Sequence, residues 1–176
     1  MDKGFFRGEQ VRLRAMEPQD VEVLYEMEND PSLWDISNFT VPYSHSVLQE
    51  YIAQSQSDIF ADKQLRLMMV RVEDGEVLGT IDLTDFSAMH RRGEVGIVVR
   101  EPYRGQGYAY EALQLFIDYM FRFLRLKQLN VHVAVDNAMC LALFERCGFE
   151  RCGLLKQWWR VEGEYKDVVI LQKLRD

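Results

Sequence analysis

The residues of this chain best suited to holding a ligand are Arg104-Gly105-Gln106-Gly107-Tyr108-Ala109. An apolar run, Val95-Gly96-Ile97-Val98-Val99, comes just before them, and an amphipathic segment from Tyr108 to Phe123 follows. Strand, glycine turn and helix in that order bring unpaired main-chain N–H groups and the positive end of a helix to one point, which suits phosphate oxygens. Glycine lets the backbone approach an anion closely because no Cβ intervenes. The pattern is not a P-loop, since Gly-Lys-Ser/Thr is absent. Nor is it a dinucleotide fingerprint, because the paired glycines come late and no acid follows at the expected strand end. Cys140, Cys147 and Cys152 match no zinc spacing, even with His132 added, so no metal is expected and the thiols read as structural.

The elements that position this turn can be read from periodicity. Val11 to Ala15 alternates as a first strand, and Pro18 opens a helix whose stripe is Val21, Leu24, Tyr25 and Met27. Asp30-Pro31 ends it, and a loop with Trp34, Phe39 and Pro42-Tyr43 is expected next. Ser44 or Ser46 caps a second helix through Val47, Leu48, Tyr51 and Ile52. Two strands, Leu65 to Val72 and Val77 to Phe86, meet at the Asp74-Gly75 turn. Glu94 to Val99 is the next strand, followed by the helix from Tyr108. Leu129 to Val135 is a strand and Asn137 to Arg146 a helix stopped by Gly148. Phe149 to Lys156 and Glu164 to Leu174 are the last two strands, turning at Glu162-Gly163. The order predicts one mixed α/β sheet with a strand–loop–helix–strand crossover near its middle.

At 176 residues, nearly half of them hydrophobic, the chain reads as one folded domain over 1–176. With 28 acidic and 21 basic residues the net charge is −7, which disfavours a nucleic-acid partner and is compatible with a cationic substrate. No apolar run reaches bilayer length and Met1 to Phe6 has no signal-peptide core, so a cytoplasmic protein without a membrane partner is expected.

Residues 104–109 fit the Arg/Gln-x-x-Gly-x-Gly/Ala signature of the GNAT superfamily of N-acetyltransferases, in the same strand–turn–helix context. About thirty residues on, Asn137 opens a helix ending at Cys147-Gly148-Phe149, which resembles that family's second cofactor segment. The resemblance covers residues 10–174. Softer likenesses join the chain to the branch containing spermidine and ribosomal-protein alanine N-acetyltransferases: Val11 to Ala15, His90 to Glu94 and Gly163 to Asp167.

The resemblance implies the acyl-CoA N-acyltransferase fold, a single mixed, mostly antiparallel sheet flanked by helices, with acetyl-CoA as donor. Main-chain amides of Gly105, Gln106, Gly107, Tyr108 and Ala109 would hold the pyrophosphate, with Arg104 adding charge. Ile97, Val98 and Val99 would pair with the pantetheine arm, and Asn137 would hydrogen-bond it while capping its own helix. A neutral amine must attack the thioester, and an aliphatic amine of pKa ~10.4 is mostly protonated at pH 7, so a general base is useful. Glu94 is the candidate, and the alternative is a carboxylate paired with Arg91 or Arg92. A backbone N–H of the same strand, that of Val99, would meet the oxyanion. Many relatives place an acidic tyrosine seven residues after the asparagine, whereas this chain has Phe144. Water, Cys140 and Tyr110 are open alternatives as the acid, and a binding protein without turnover is the alternative to an enzyme.

For the acceptor, Asp82 and Asp85 are placed like acids of polyamine acetyltransferases, and Trp34 is a pocket candidate. Two carboxylates suit the second ammonium of a diamine. A peptide N-terminus and an amino sugar remain alternative acceptors. Of the adjacent Trp158 and Trp159, one is expected inside and one exposed, and the likeness to the branch implies a homo-oligomer.

Overall fold

The computed structural model describes residues 4–37, 41–55 and 58–176, with 35–37 by backbone alone. Seven strands form one sheet in the order β1-β2-β3-β4-β5-β7-β6. They are β1 (Val11–Arg14), β2 (Leu65–Arg71), β3 (Val77–Ser87), β4 (Arg92–Val99), β5 (Gln128–Ala134), β6 (Glu150–Val161) and β7 (Glu164–Leu174). Every neighbouring pair is antiparallel except β4 with β5. The mixed, mostly antiparallel sheet is as expected.

The helices are α1 (Val21–Glu28), α2 (Pro31–Ser37), α3 (His45–Gln54), α4 (Ile59–Asp62), α5 (Tyr108–Asp118) and α6 (Ala138–Arg146). Strand alternation sends side chains to opposite faces, and β2 shows it directly. Met68 and Val70 join Leu24, Leu48 and Ile52 in one buried cluster, beneath α1 and α3. Leu67 and Met69 join Leu113, Phe116 and Phe144 in the other, beneath α5 and α6. The sheet therefore has an α1/α3 face and an α5/α6 face.

Three expectations need correction. Asp30-Pro31 ends α1 but also starts α2, because the Asp30 carboxylate accepts from Ser32 N at 2.9 Å and proline's fixed φ suits a first helical turn. Trp34 therefore sits on a helix, while Asn38 and Phe39 lie outside the described residues. Asp58 similarly caps the single turn of α4, accepting from Phe60 N at 2.9 Å, where no helix was expected. Finally, β6 runs on to Val161, past the expected end at Lys156. Its register shifts between Leu155 and Trp159, where Gln157 takes φ 51°, so simple alternation breaks off there.

Candidate active site

The site originates in a defect of the sheet. Parallel pairing of β4 with β5 covers only Arg92↔Gln128, Gly93↔Leu129 and Glu94↔Asn130. Beyond Glu94 the two strands part, and no ladder continues on that edge of β4 among the described residues. Arg100 N donates to Leu78 O at 2.8 Å on β3. Alternation along an antiparallel pair then turns the N–H groups of Ile97 and Val99 the other way, into the split. Gly79 lets β3 lie this close: a Cβ there would come within 1.9 Å of Val98 O.

At the far end of β4 the chain enters the glycine turn. Gly105 and Gly107 have φ of 74° and 86°, a left-handed conformation that costs a side-chain-bearing residue strain. Among the described residues, nothing beyond their chain neighbours lies within 4 Å of where their Cβ atoms would be, so a ligand can approach the backbone. Gly107 is the N-cap of α5, whose first N–H groups lack helical partners. Arg104 folds back, its Nε donating to Val99 O at 2.8 Å, and Gln106 Nε2 donates to Pro102 O at 3.1 Å. Tyr108 is buried in the core below. On α6, Asn137 Oδ1 accepts from Cys140 N at 3.1 Å as an N-cap.

The split opens into a cavity of about 410 Å³ whose lining comes from both faces of the sheet. Cys140 and Phe144 enter it from the α5/α6 side; Glu28, Arg66 and Asp82 enter it from the α1/α3 side. Gly96 on β4 faces Asp82 and puts no side chain into the space between. Arg66 grips Asp82 through Nε–Oδ1 at 2.8 Å and Nη2–Oδ2 at 2.9 Å, and its Nη1 donates to Glu28 Oε1. Burial works against the Arg66 charge, yet the neighbouring carboxylates, Asp82 foremost, hold its pKa above the ordinary value. Burial likewise pushes the Glu28 carboxyl up, against the pull of Arg66. Glu28 Oε2 is buried and, among the described residues, has no hydrogen-bond partner. An orphaned carboxylate oxygen in a cavity is costly unless something cationic or hydrogen-bonding meets it there.

Glu94 lies at the point where β4 and β5 separate, and Oε1 is 2.9 Å from Nδ1 of His132 on β5. Both side chains line the cavity and both are partly exposed. Phe144 is buried against Phe149, rings 5.1 Å apart and edge to face. Burial raises the Cys140 thiol to about 11. Tyr110 is not part of the lining; Arg146 lies over its ring at 4.1 Å.

Of the residues singled out from sequence, the structure brings Glu94, Ile97, Val98, Asp82 and Phe144 to one cavity. Val99, Arg104 and the 105–109 turn follow directly along the chain, at the end of β4. Asp85 is not in the lining: it occupies the bulge of β3 at φ 47°, exposed, 3.4 Å from Arg92 Nη1. Trp34 is not in the lining either; its Nε1 donates to Glu28 O at 3.0 Å and so steadies the end of α1. Trp158 is 58% exposed, and Trp159 lines the cavity. Glu28, Arg66 and His132 join the site without belonging to any sequence motif. Glu28 continues the Val21–Leu24 stripe, and Arg66 falls on the same alternation as Met68 and Val70. A charge on an apolar period was the available signal.

The sequence profile of the acetyltransferase (GNAT) domain matches residues 10–150. This chain belongs to the GNAT acetyltransferases. It is an N-acetyltransferase, with the split mixed sheet described above. A spermidine N(1)-acetyltransferase of Vibrio cholerae is 29% identical over 160 residues, covering 90% of each chain. A putative ribosomal N-acetyltransferase of Bacillus subtilis is 28% identical over 171 residues, covering 96% of this chain and 93% of the relative. Among solved structures, the Vibrio cholerae spermidine N-acetyltransferase in complex with CoA and spermine superposes with a TM-score of 0.83 at 27% identity, covering 95% and 96% of the two chains. A structure of the same enzyme described as dodecameric gives a TM-score of 0.80 at 28% identity, covering 95% of each.

Proposed function

We propose that this GNAT N-acetyltransferase takes acetyl-CoA as donor and a polyamine-class primary amine as acceptor. The observation that carries this reading is the cavity crossing the sheet, with the glycine turn beyond one side and the orphaned Glu28 Oε2 at the other. Acetyl-CoA supplies an activated acyl carbonyl. The stretch Ile97, Val98 and Val99, with its outward N–H groups at Ile97 and Val99, lies along the pantetheine arm, the amides of Gly105 to Ala109 hold the pyrophosphate, and Asn137 adds a side-chain contact. The open space over Gly105 and Gly107 fits a phosphate group.

On the other side, Glu28 receives an ammonium of the acceptor and orients the amine to be acetylated. Asp82 contributes charge through Arg66 rather than a free oxygen, because both its oxygens are engaged. Glu94 supplies the carboxylate of the general-base function, and the Val99 N–H meets the oxyanion. Two relatives named for spermidine support the acceptor class. Self-association is proposed on the strength of the dodecameric relative, with Leu154, Trp158 and Tyr165 exposed on the β6–β7 hairpin.

A thiol-release assay with acetyl-CoA and a panel of spermidine, a short diamine, a monoamine, a peptide and an aminoglycoside tests the reading. Fastest release with the polyamines is expected. Faster release with peptide would replace the acceptor assigned here. Calorimetric binding of CoA with no release from any amine would favour a binding-only protein, the reading that Phe144 motivates.

A further inference from the structure

We propose that His132 is the catalytic proton carrier, and that Glu94 acts through it as a positioning residue. The inference rests on the acetyl-transfer reading above and adds to it a residue and a proton path. A carboxylate can only accept, so the 2.9 Å contact between Glu94 Oε1 and His132 Nδ1 requires the proton on Nδ1. That leaves the lone pair of a neutral ring on Nε2. His132 alternates with the buried Val131 and Val133, so its ring belongs to the face of the sheet that carries the acidic cluster.

A second observation concerns the two lining residues nearest in sequence to the expected acid. Phe144 has no proton to give, and Cys140, held at about 11 by burial, is a poor acid toward a departing thiolate. A single group that collects a proton from the attacking nitrogen and returns it to sulfur removes the need for a separate acid. The acceptor releases one proton to water on becoming a neutral amine. As its nitrogen bonds to the acyl carbon, His132 Nε2 takes a second proton. The carbon–sulfur bond then breaks, the electron pair leaves with sulfur, and the same proton passes from Nε2 to the thiolate. Free thiol, amide and one solvent proton account for every atom. Glu94 stays ionised throughout and balances the transient imidazolium.

Glu94 from β4 contacts His132, the charged Glu28–Arg66–Asp82 cluster from α1, β2 and β3 lines the cavity on the same face of the sheet, and Cys140 from α6 lines it from the other. Trp159 of β6 lines the same cavity, and Ile170 of β7 is the register partner of His132. With three histidines in the chain, His132 is readily assigned by its loss from the spectrum of a variant.

The decisive experiment is ¹⁵N NMR of the ring in the ligand-free protein, combined with kinetics of H132Q, H132N and E94Q. The Nδ1–H tautomer is expected in the unaltered protein, with a shift toward the Nε2–H form in E94Q. Both His132 variants should lose about 100-fold or more in kcat at unchanged CoA affinity. E94Q should lose less. An Nε2–H tautomer in the unaltered protein, or a folded His132 variant at full rate, overturns the proposal. The tautomer readout needs no turnover, so its failure is distinct from failure of the amine panel.

Discussion

Arg66 and Asp82 face each other across β2 and β3 in register and join by two parallel hydrogen bonds of 2.8 and 2.9 Å. Both side chains are more than four-fifths buried. Removing Asp82 strips Arg66 of its bidentate partner and leaves the monodentate contact to Glu28 alone, and breaking a buried pair ordinarily costs about 3 kcal/mol. Asp82→Ala should therefore lower unfolding stability by roughly that amount, measured by urea titration. An unchanged midpoint would show that the pair contributes nothing to the fold.

Glu28 should behave differently. Burial already opposes its charge, so Glu28→Gln removes an electrostatic cost while Asp82 keeps Arg66 in place. Stability should change by less than about 1 kcal/mol. A charge-assisted hydrogen bond is worth about 1.5–3 kcal/mol, so KM for spermidine should rise by about ten- to a hundredfold, and KM for a monoamine far less. Steady-state kinetics with both amines on the one variant decide it; equal shifts would count against Glu28 as an ammonium site.

Gly107→Ala tests the turn without adding a clash, since the space around the missing Cβ is open. The strain comes from φ 86° alone, about 1–2 kcal/mol for an ordinary residue. If the turn relaxes, the amides leave the phosphate position and CoA affinity falls about tenfold. Calorimetric titration with CoA reads this directly, and an unaltered Kd would remove the turn from the binding site.

The cysteines provide a pH test of the cavity. Cys152 is exposed, whereas burial holds the Cys140 thiol at about 11. The thiolate is the nucleophile, and a thiol with a raised pKa is almost wholly protonated at pH 8. Iodoacetamide at pH 8 should therefore mark Cys152 well before Cys140, with Cys140 labelling rising about tenfold per pH unit toward pH 10. CoA should slow Cys140 and leave Cys152 unchanged. Peptide mass spectrometry measures both, and fast labelling of Cys140 at pH 8 would contradict its burial.

The elements that local chemistry dictates are legible in the order of residues. Apolar periodicity marked the strands and α5, Gly105 and Gly107 marked a turn that only glycine tolerates easily, and Asn137 and Gly148 bracketed α6. That order could not show α2, because Asp30-Pro31 serves equally to stop one helix and to cap the next. Nor could it show the run of β6 to Val161, where a bulge breaks the alternation. Which charges meet depends on how the folded elements are brought together. Glu28, Arg66 and Asp82 are separated by 38 and 16 residues, and Glu94 and His132 by another 38. Those contacts depend on strand register and on the place where β4 leaves β5. Register is set by the packing of whole faces, a property of pairs of elements that no single stretch of chain encodes.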